Sequence, residues 1–332
     1  MGEKTNYNCR AKNKTGGLNM TKIYLTENGV TELIDAPVKG CWICMTKPSE
    51  EELEKIEELY GLDPDDLSAA LDEEETSRID VEDDYTLILV DIPTVEIRNE
   101  KNRYVTIPLG IIVTKEAIIT ICLEDSPVLN LFTGRKASQF STHMKTRFIL
   151  QILFANAKLY LRYLRSINKQ SEELEKSLHD STENSALIDM MELGKSLLYF
   201  TTSLKATDVV LDKLTKTPSV KKYPEDEELL EDVIIENHQA LEMSEIYSGI
   251  LNGMMDAYAS IISNNMNVVQ KFIAVATVVL SIPNIVFGAY GMNLALNSMP
   301  LASSPYSFAL IIGISILLSY FVYLYFEKKK MY

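Results

Sequence analysis

Apolar residues follow three different rhythms along this chain. Between residues 21 and 130 they form short runs rich in β-branched side chains, Ile23–Leu25, Cys41–Met45, Thr86–Ile92, Val105–Ile107, Gly110–Val113 and Ala117–Cys122, separated by Asn28-Gly29, Pro93, Pro108 and Pro127. Runs of that length with that punctuation predict strands ending at those breaks. Ser49, followed by a turn crowded with Glu, predicts the N-cap of a helix over Ser49–Tyr60, and a shorter helix is expected over Asp63–Leu71. Together these elements predict an α/β module with a mixed sheet. From about Gln139 the period becomes helical. Helices are expected over Phe140–Leu178 and Ser185–Lys216, and the Pro218–Pro224 segment then breaks the chain. A third helix starts near Pro224-Glu225-Asp226 with acidic residues in its first turn, and no breaker follows before Pro283. Such a rod rises about 80 Å at ~1.5 Å per residue.

The third rhythm is an unbroken apolar one. No charged residue occurs from Phe272 through Phe326. A bilayer core takes roughly 20 apolar residues per helix, so the stretch has room for two crossings, Phe272–Ala289 and Tyr306–Phe326. Their connection, Leu294–Pro305, holds two prolines and several Asn and Ser residues that suit turns. Lys328–Lys330 directly after the second crossing place the C-terminus in the cytoplasm, and two crossings bring the N-terminal domain to the same side. The expected organisation is therefore a polar extension or tag (1–20), a cytoplasmic α/β domain (21–138) and long antiparallel helices (139–223). A stalk helix continuing into the first crossing (224–289), a bend and external loop (290–305), the second crossing (306–326) and a basic tail (327–332) complete it. No secretory signal opens the chain, since Ile23–Leu25 is too short for one.

Charge and cysteines narrow the function. Four lysines at 271 and 328–330 against Glu327 give the C-terminal part a net +3, so the formal −15 of the whole chain leaves −18 on everything before it. A domain that acidic repels phosphates and attracts cations, which speaks against nucleic acid as a partner. No G-x-x-x-x-G-K-[ST] run marks a nucleotide site. Cys41-Trp42-Ile43-Cys44 has a redox or half-zinc spacing, but without a second pair or a nearby His the segment reads as a buried strand. Cys9 and Cys122 stand apart, and free thiols suit a cytosolic domain. His143, His179 and His238 are scattered on helices with no nucleophile or metal partner at a recognisable spacing, so an enzyme reading finds little support.

One stripe on the rod carries candidate chemistry. Alternating steps of four and three from Asp256 reach Ser260, Ser263, Asn267, Gln270, Ala274, Thr277, Ser281, Asn284 and Gly288, all polar or small. Within Phe272–Ala289, Thr277, Ser281 and Asn284 are the only hydrogen-bonding side chains, and all three fall on this stripe of period 3.5, which keeps one face turned inward when helices share an axis. Small polar residues also glue membrane helices together in dry contacts. Asn284 and Gln270 are costly against lipid, however, and like-charged Asp256 copies would repel in tight packing, so a wet conduit explains more of the stripe.

At the end of the first crossing stands Tyr290-Gly291-Met292-Asn293. Placed after one C-terminal transmembrane helix and before a short loop, a second crossing and a lysine cluster, this tetrapeptide resembles the signature of the CorA family of magnesium channels. Asp256-Ala257-Tyr258, followed by Ser263-Asn264 and Asn267, resembles the family's stalk pattern, and the likeness extends over most of the chain after Met20. What the resemblance implies is a funnel-shaped homopentamer, an α+β membrane protein of the plasma membrane with both termini cytoplasmic, taking up Mg²⁺ with Co²⁺ or Ni²⁺ as further candidates. Asn293 would form a ring of amides at the outer mouth that accepts a hydrated ion, since Mg²⁺ releases its waters reluctantly. Gly291 would allow close backbone approach, and Tyr290 and Met292 would brace the ring. Gly288, Asn284, Ser281, Thr277, Ile273, Gln270 and Asn267 would line successive levels, with Ile273 as a hydrophobic constriction. Asp256 would be a regulatory cation ligand between subunits, closing the pore as cytoplasmic Mg²⁺ rises, with Glu73–Glu75 and Asp80–Asp84 among its possible acidic partners. Mg²⁺ is then both cargo and regulator. A different class, a membrane-anchored scaffold with an acidic partner-binding domain, predicts no conductance and tolerance of apolar residues at Thr277, Ser281 and Asn284.

Overall fold

A computed structural model of the chain describes residues 21–27, 29–98, 101–133, 140–180, 184–216, 223–292 and 306–329. The strands are β1 (Thr21–Glu27), β2 (Val30–Ile34), β3 (Trp42–Thr46), β4 (Arg78–Val81), β5 (Tyr85–Arg98), β6 (Lys101–Thr114) and β7 (Ile118–Cys122). They form one mixed seven-stranded sheet in the order β2-β1-β3-β7-β6-β5-β4, with β3 and β7 parallel and every other pair antiparallel. The mixed sheet expected from the short β-branched runs is present, and the strand alternation assigns each side chain to a face. Trp42 and Cys44 on β3, Ile88, Val90 and Ile92 on β5, and Ile118 and Cys122 on β7 enter one core, while Ile43, Met45, Leu87, Leu89, Ile119 and Ile121 enter the other.

Helices α1 (Glu50–Tyr60) and α2 (Pro64–Ala69) supply the second core with Ile56, Leu67, Ala69 and Ala70. Ser49 caps α1 as expected: its side chain accepts from the Glu52 N–H, and Glu52 accepts from the Ser49 N–H at 3.0 Å, a reciprocal pair that fixes the helix start. Gly61 ends it in the left-handed conformation, φ 64°, which a side chain would resist. Asp63 caps α2. The close approach of α2 to the sheet depends on Gly110, where a Cβ would stand 2.6 Å from the Ala70 Cβ.

The other face carries α4 (Lys145–Asp180) and α5 (Asn184–Thr215), after the single turn α3 (Asn130–Thr133). α4 begins five residues later than the apolar period suggested. Phe140 precedes it as a loop residue folded back onto Phe148, ring centroids 4.7 Å apart, with Trp42 at 5.0 Å and Phe132 at 5.3 Å from the same Phe148 ring. Trp42 donates from its indole N–H to Thr120 Oγ1 at 2.9 Å, so this aromatic cluster buries no unpaired polar atom of the indole. His143 belongs to the turn before α4 rather than to a helix.

Three expectations need correcting. Pro93 and Pro108 do not break strands. They lie inside β5 and β6, Pro93 opposite Thr106 and Pro108 opposite Asp91. The ladder to β4 stops at Leu89 and that to β7 at Leu109, so both prolines sit in a two-stranded ribbon with one side open, where a missing N–H is tolerated. Second, β2 and β4 were not expected as strands. Both are sheet edges with few buried residues, so neither needs the apolar alternation that would announce it. Third, Val105–Ile107 and Gly110–Val113 are one strand.

Helix α6 (Pro224–Tyr290) runs unbroken through Pro283, a rise of about 100 Å for its 67 residues, and α7 (Ser307–Lys328) follows. The chain divides into two compact units, residues 1–252 and 253–332. In the first, the start of α6 is held by Arg147 of α4, which donates from Nε to Asp226 at 2.8 Å and from Nη2 to Glu225 at 2.7 Å. Farther along, Asn237 donates to the Leu204 carbonyl and Ser244 to that of Leu197, stitching α6 to α5. The second unit holds the apolar end of α6 and α7, both long and apolar enough to cross a membrane.

Candidate functional site

In the second unit the described residues leave large apolar side chains outward on both helices, Leu280 and Ile285 on α6 at 66% and 70% exposure, Ile316 and Phe321 on α7 at 62% and 61%. Only two described residues of the unit are buried, Val275 on α6 and Ser315 on α7. A hydrogen bond joins the helices beside them, from Ser319 Oγ on α7 to the Val279 carbonyl on α6, 3.3 Å. Val275 and Val279 therefore mark the α6 face that α7 covers.

The polar stripe lies on the opposite face. At ~100° per residue, Thr277, Ser281 and Asn284 stand roughly 120–180° around the helix from Val275 and Val279. Asn267, Gln270, Ile273, Ala274, Thr277, Asn284 and Gly288 are exposed and Ser281 is partly so, while Asp256, Ser260 and Ser263 continue the stripe, also exposed. One continuous helix carries all of these, and at the level of the α7 contact it turns Thr277, Ser281 and Asn284 away from α7.

The stripe's hydroxyls are oriented by their own helix. Thr277 Oγ1 donates to the Ile273 carbonyl at 2.8 Å, Ser281 Oγ to Thr277 O at 2.7 Å and Ser260 Oγ to Asp256 O at 3.0 Å. A hydroxyl has one proton and two lone pairs, so each of these presents only acceptor capacity outward. Such a surface receives hydrogen bonds from the water shell of a cation, whose hydrogens point away from the metal.

At the end of α6, the Gly291 N–H donates to Phe287 O at 2.8 Å, continuing the helical pattern by one residue. A Cβ at Gly291 would stand 3.2 Å from that same oxygen, tighter than ordinary contact. Tyr290 is the last helical residue and Met292 is exposed. Asn293 lies outside the described residues, as does the connection Leu294–Pro305.

The acidic runs of the first unit are partly matched by cations. Arg78 bridges Glu75 and Asp80, and Lys115 holds Asp84 at 2.6 Å. No group of three or more His, Cys, Asp or Glu that could hold a metal occurs among the described residues. Cys41, Cys44 and Cys122 are free and buried, with Cys41 in one core and Cys44 in the other, so the sheet itself separates the Cys-x-x-Cys pair. Cys9 and its segment are outside the described residues. His238 pairs with Asp208 at 2.8 Å. A cavity of about 660 Å³ beside β6 is lined by Arg103, Glu192 and Lys195 among others, and Glu192 takes both cations, at 2.7 and 3.1 Å.

Sequence reasoning overlooked two groups. Asp91 on β5 is half-buried under α4 and α5; its carbonyl accepts from Asn156 Nδ2 at 2.9 Å and Tyr160 OH at 3.2 Å, and its carboxylate from Ser203 Oγ at 2.5 Å. Burial pushes the Asp91 carboxyl up from its ordinary range, and the Ser203 bond offsets that only in part. Ser315 and Ser319 were the other omission. Two serines four apart in an apolar helix, with a proline in the preceding crossing, were the available signal.

Known proteins resemble this chain over most of its length. A family model described as "CorA-like Mg2+ transporter protein" matches residues 39–329. The cobalt/magnesium transport protein CorA of Methanocaldococcus jannaschii is 29% identical over 294 residues, 86% of this chain and 89% of that protein. The protein of the same name from Thermotoga maritima is 20% identical over 295 residues, 87% and 82% of the two chains. Among solved structures, the complete CorA magnesium transporter of M. jannaschii superposes with a TM-score of 0.77 at 25% identity, over 93% of this chain and 97% of that one.

Proposed function

The chain belongs to the CorA-like Mg²⁺ transporter family, and we propose that it is a channel for Mg²⁺ uptake across the plasma membrane, also passing Co²⁺. The relatives' names supply the ion class. The observation in this chain that carries the reading is the stripe Thr277-Ser281-Asn284, with the lone pairs of Thr277 and Ser281 outward, on the side of α6 that α7 leaves open. Several copies of α6 turning that stripe to a common axis, with α7 outside against lipid, make a water-filled path that handles the ion with its hydration shell intact. The family resemblance argues for five copies, with Asn293 ringing the outer mouth and Ile273 supplying an apolar constriction.

Energy for uptake comes from the membrane potential. A divalent cation gains about 4–5 kcal/mol per 100 mV on entering a negative interior, so no nucleotide is needed. Lys328–Lys330 set both termini in the cytoplasm by the positive-inside rule. Asp256, exposed on the stripe below the apolar stretch, is the proposed ligand for cytoplasmic Mg²⁺ that bridges neighbouring copies and closes the path. The test is Mg²⁺ flux into proteoliposomes for wild type and Asn293→Ala. A loss of flux in the variant is expected, and equal flux removes the pore-mouth assignment. A scaffold that uses the hairpin only as a tether carries no ions in either form.

A further inference from the structure

Pro283 has no N–H, so the carbonyl four residues earlier, that of Val279, has no α-helical donor from its usual partner. In a membrane such a carbonyl is satisfied by a neighbouring helix, a Ser or Thr side chain, an ordered water or a local change of helix pitch. The donor in this structure is Ser319 Oγ on α7, 3.3 Å away. Ser315, one turn earlier on α7, behaves differently: its proton goes to its own helix, to Ile311 O at 2.6 Å and Ile312 O at 3.3 Å. Of these two serines, Ser319 is the one that reaches across. The atom it takes is the one that proline exposes.

We propose that Ser319 is a positioning residue of the conduction path, clipping α7 to the proline-freed Val279 carbonyl and so holding the section of α6 that presents Ser281 and Asn284. Proline removes a rung of the hydrogen-bond ladder and lets a helix bend at that point. Ser281 and Asn284 lie on either side of Pro283 within two residues of it, so the bend angle there sets how far each stands from a shared axis. Without the clip the bend is free to vary. The outer helix thereby controls the radius of the path without contributing a side chain to it, and the inference rests on the transport reading above.

A double-mutant cycle tests the clip. Wild type, Ser319→Ala, Ser319→Thr, Pro283→Ala and the Pro283→Ala/Ser319→Ala pair are reconstituted, and both Mg²⁺ flux and amide exchange of the 280–287 segment are measured. Ser319→Ala should lower flux and raise exchange about fivefold, the ratio that about 1 kcal/mol of intramembrane hydrogen bond gives. Ser319→Thr, which keeps the hydroxyl, should stay within about twofold of wild type on the same scale. In the Pro283→Ala background the new N–H serves Val279 O, and removing the Ser319 hydroxyl should change neither readout. A Ser319→Ala effect that persists undiminished beside Ala at 283, or no effect in either background, overturns the proposal. Failure of Ser319→Ala to assemble counts for the clip when Pro283→Ala restores assembly and against it when it does not. A wild type that carries no Mg²⁺ removes the transport reading, while exchange still judges whether the contact operates.

Discussion

Thr277→Val isolates the stripe's chemistry from its shape. Valine keeps the β-branch and nearly the same volume, so helix α6 loses one hydroxyl per copy and little else. In the structure that hydroxyl gives its proton to Ile273 O at 2.8 Å and leaves its lone pairs outward. Loss of the intrahelical bond by itself should leave folding almost untouched, because an i−4 hydroxyl bond contributes little to helix stability. Loss of the acceptor is different. A hydrated ion passing this level and touching two copies forfeits two hydrogen bonds of about 1 kcal/mol each, a barrier increase of about 2 kcal/mol. That slows passage about thirtyfold. The assay is initial Mg²⁺ influx into proteoliposomes under an imposed negative-inside potential, with the thermal midpoint and elution volume of the same preparation as controls for folding and assembly. Influx within twofold of wild type, from protein that melts and elutes normally, would refute the idea that Thr277 faces the ion.

Three further outcomes follow from the same structure. Asp256→Asn should raise the internal Mg²⁺ needed for half-inhibition of flux about tenfold, the loss of ~1.4 kcal/mol of cation binding, and an unchanged inhibition curve would remove Asp256 from regulation. Asp91→Asn should raise the thermal midpoint at pH 7. Burial raises the folded-state pKa of this carboxyl above its ordinary 3.8, so wild-type stability is lost as pH climbs from that value through the folded pKa, whereas the neutral amide carries no such penalty. The gain should vanish below pH 3.8, and an equal gain at acid pH would contradict the desolvation account. Phe148→Ala removes the ring that Phe140, Trp42 and Phe132 surround, and should cost about 3–5 kcal/mol, read as a lowered unfolding midpoint with loss of near-ultraviolet dichroism.

The chain by itself determined everything that rests on local periodicity or on an unbroken composition. The strand runs, the cap at Ser49, the long helices, the charge-free end and the period-3.5 stripe were all legible, because each is a pattern within one element and depends on no distant partner. Edge strands β2 and β4 were not, since an edge is defined by what lies beside it, and Pro93 and Pro108 misled because the tolerance of a strand for proline depends on whether a third strand covers that side. The same reason governs the stripe. Its spacing could be counted from residue types, but its direction could not: only tertiary packing decided that α7 covers Val275 and bonds Val279 O, leaving Thr277, Ser281 and Asn284 on the open face. The half-burial of Asp91 beneath two helices is likewise a fact of geometry, because a carboxylate acquires its role from the atoms that surround it and these come from parts of the chain that no local pattern connects.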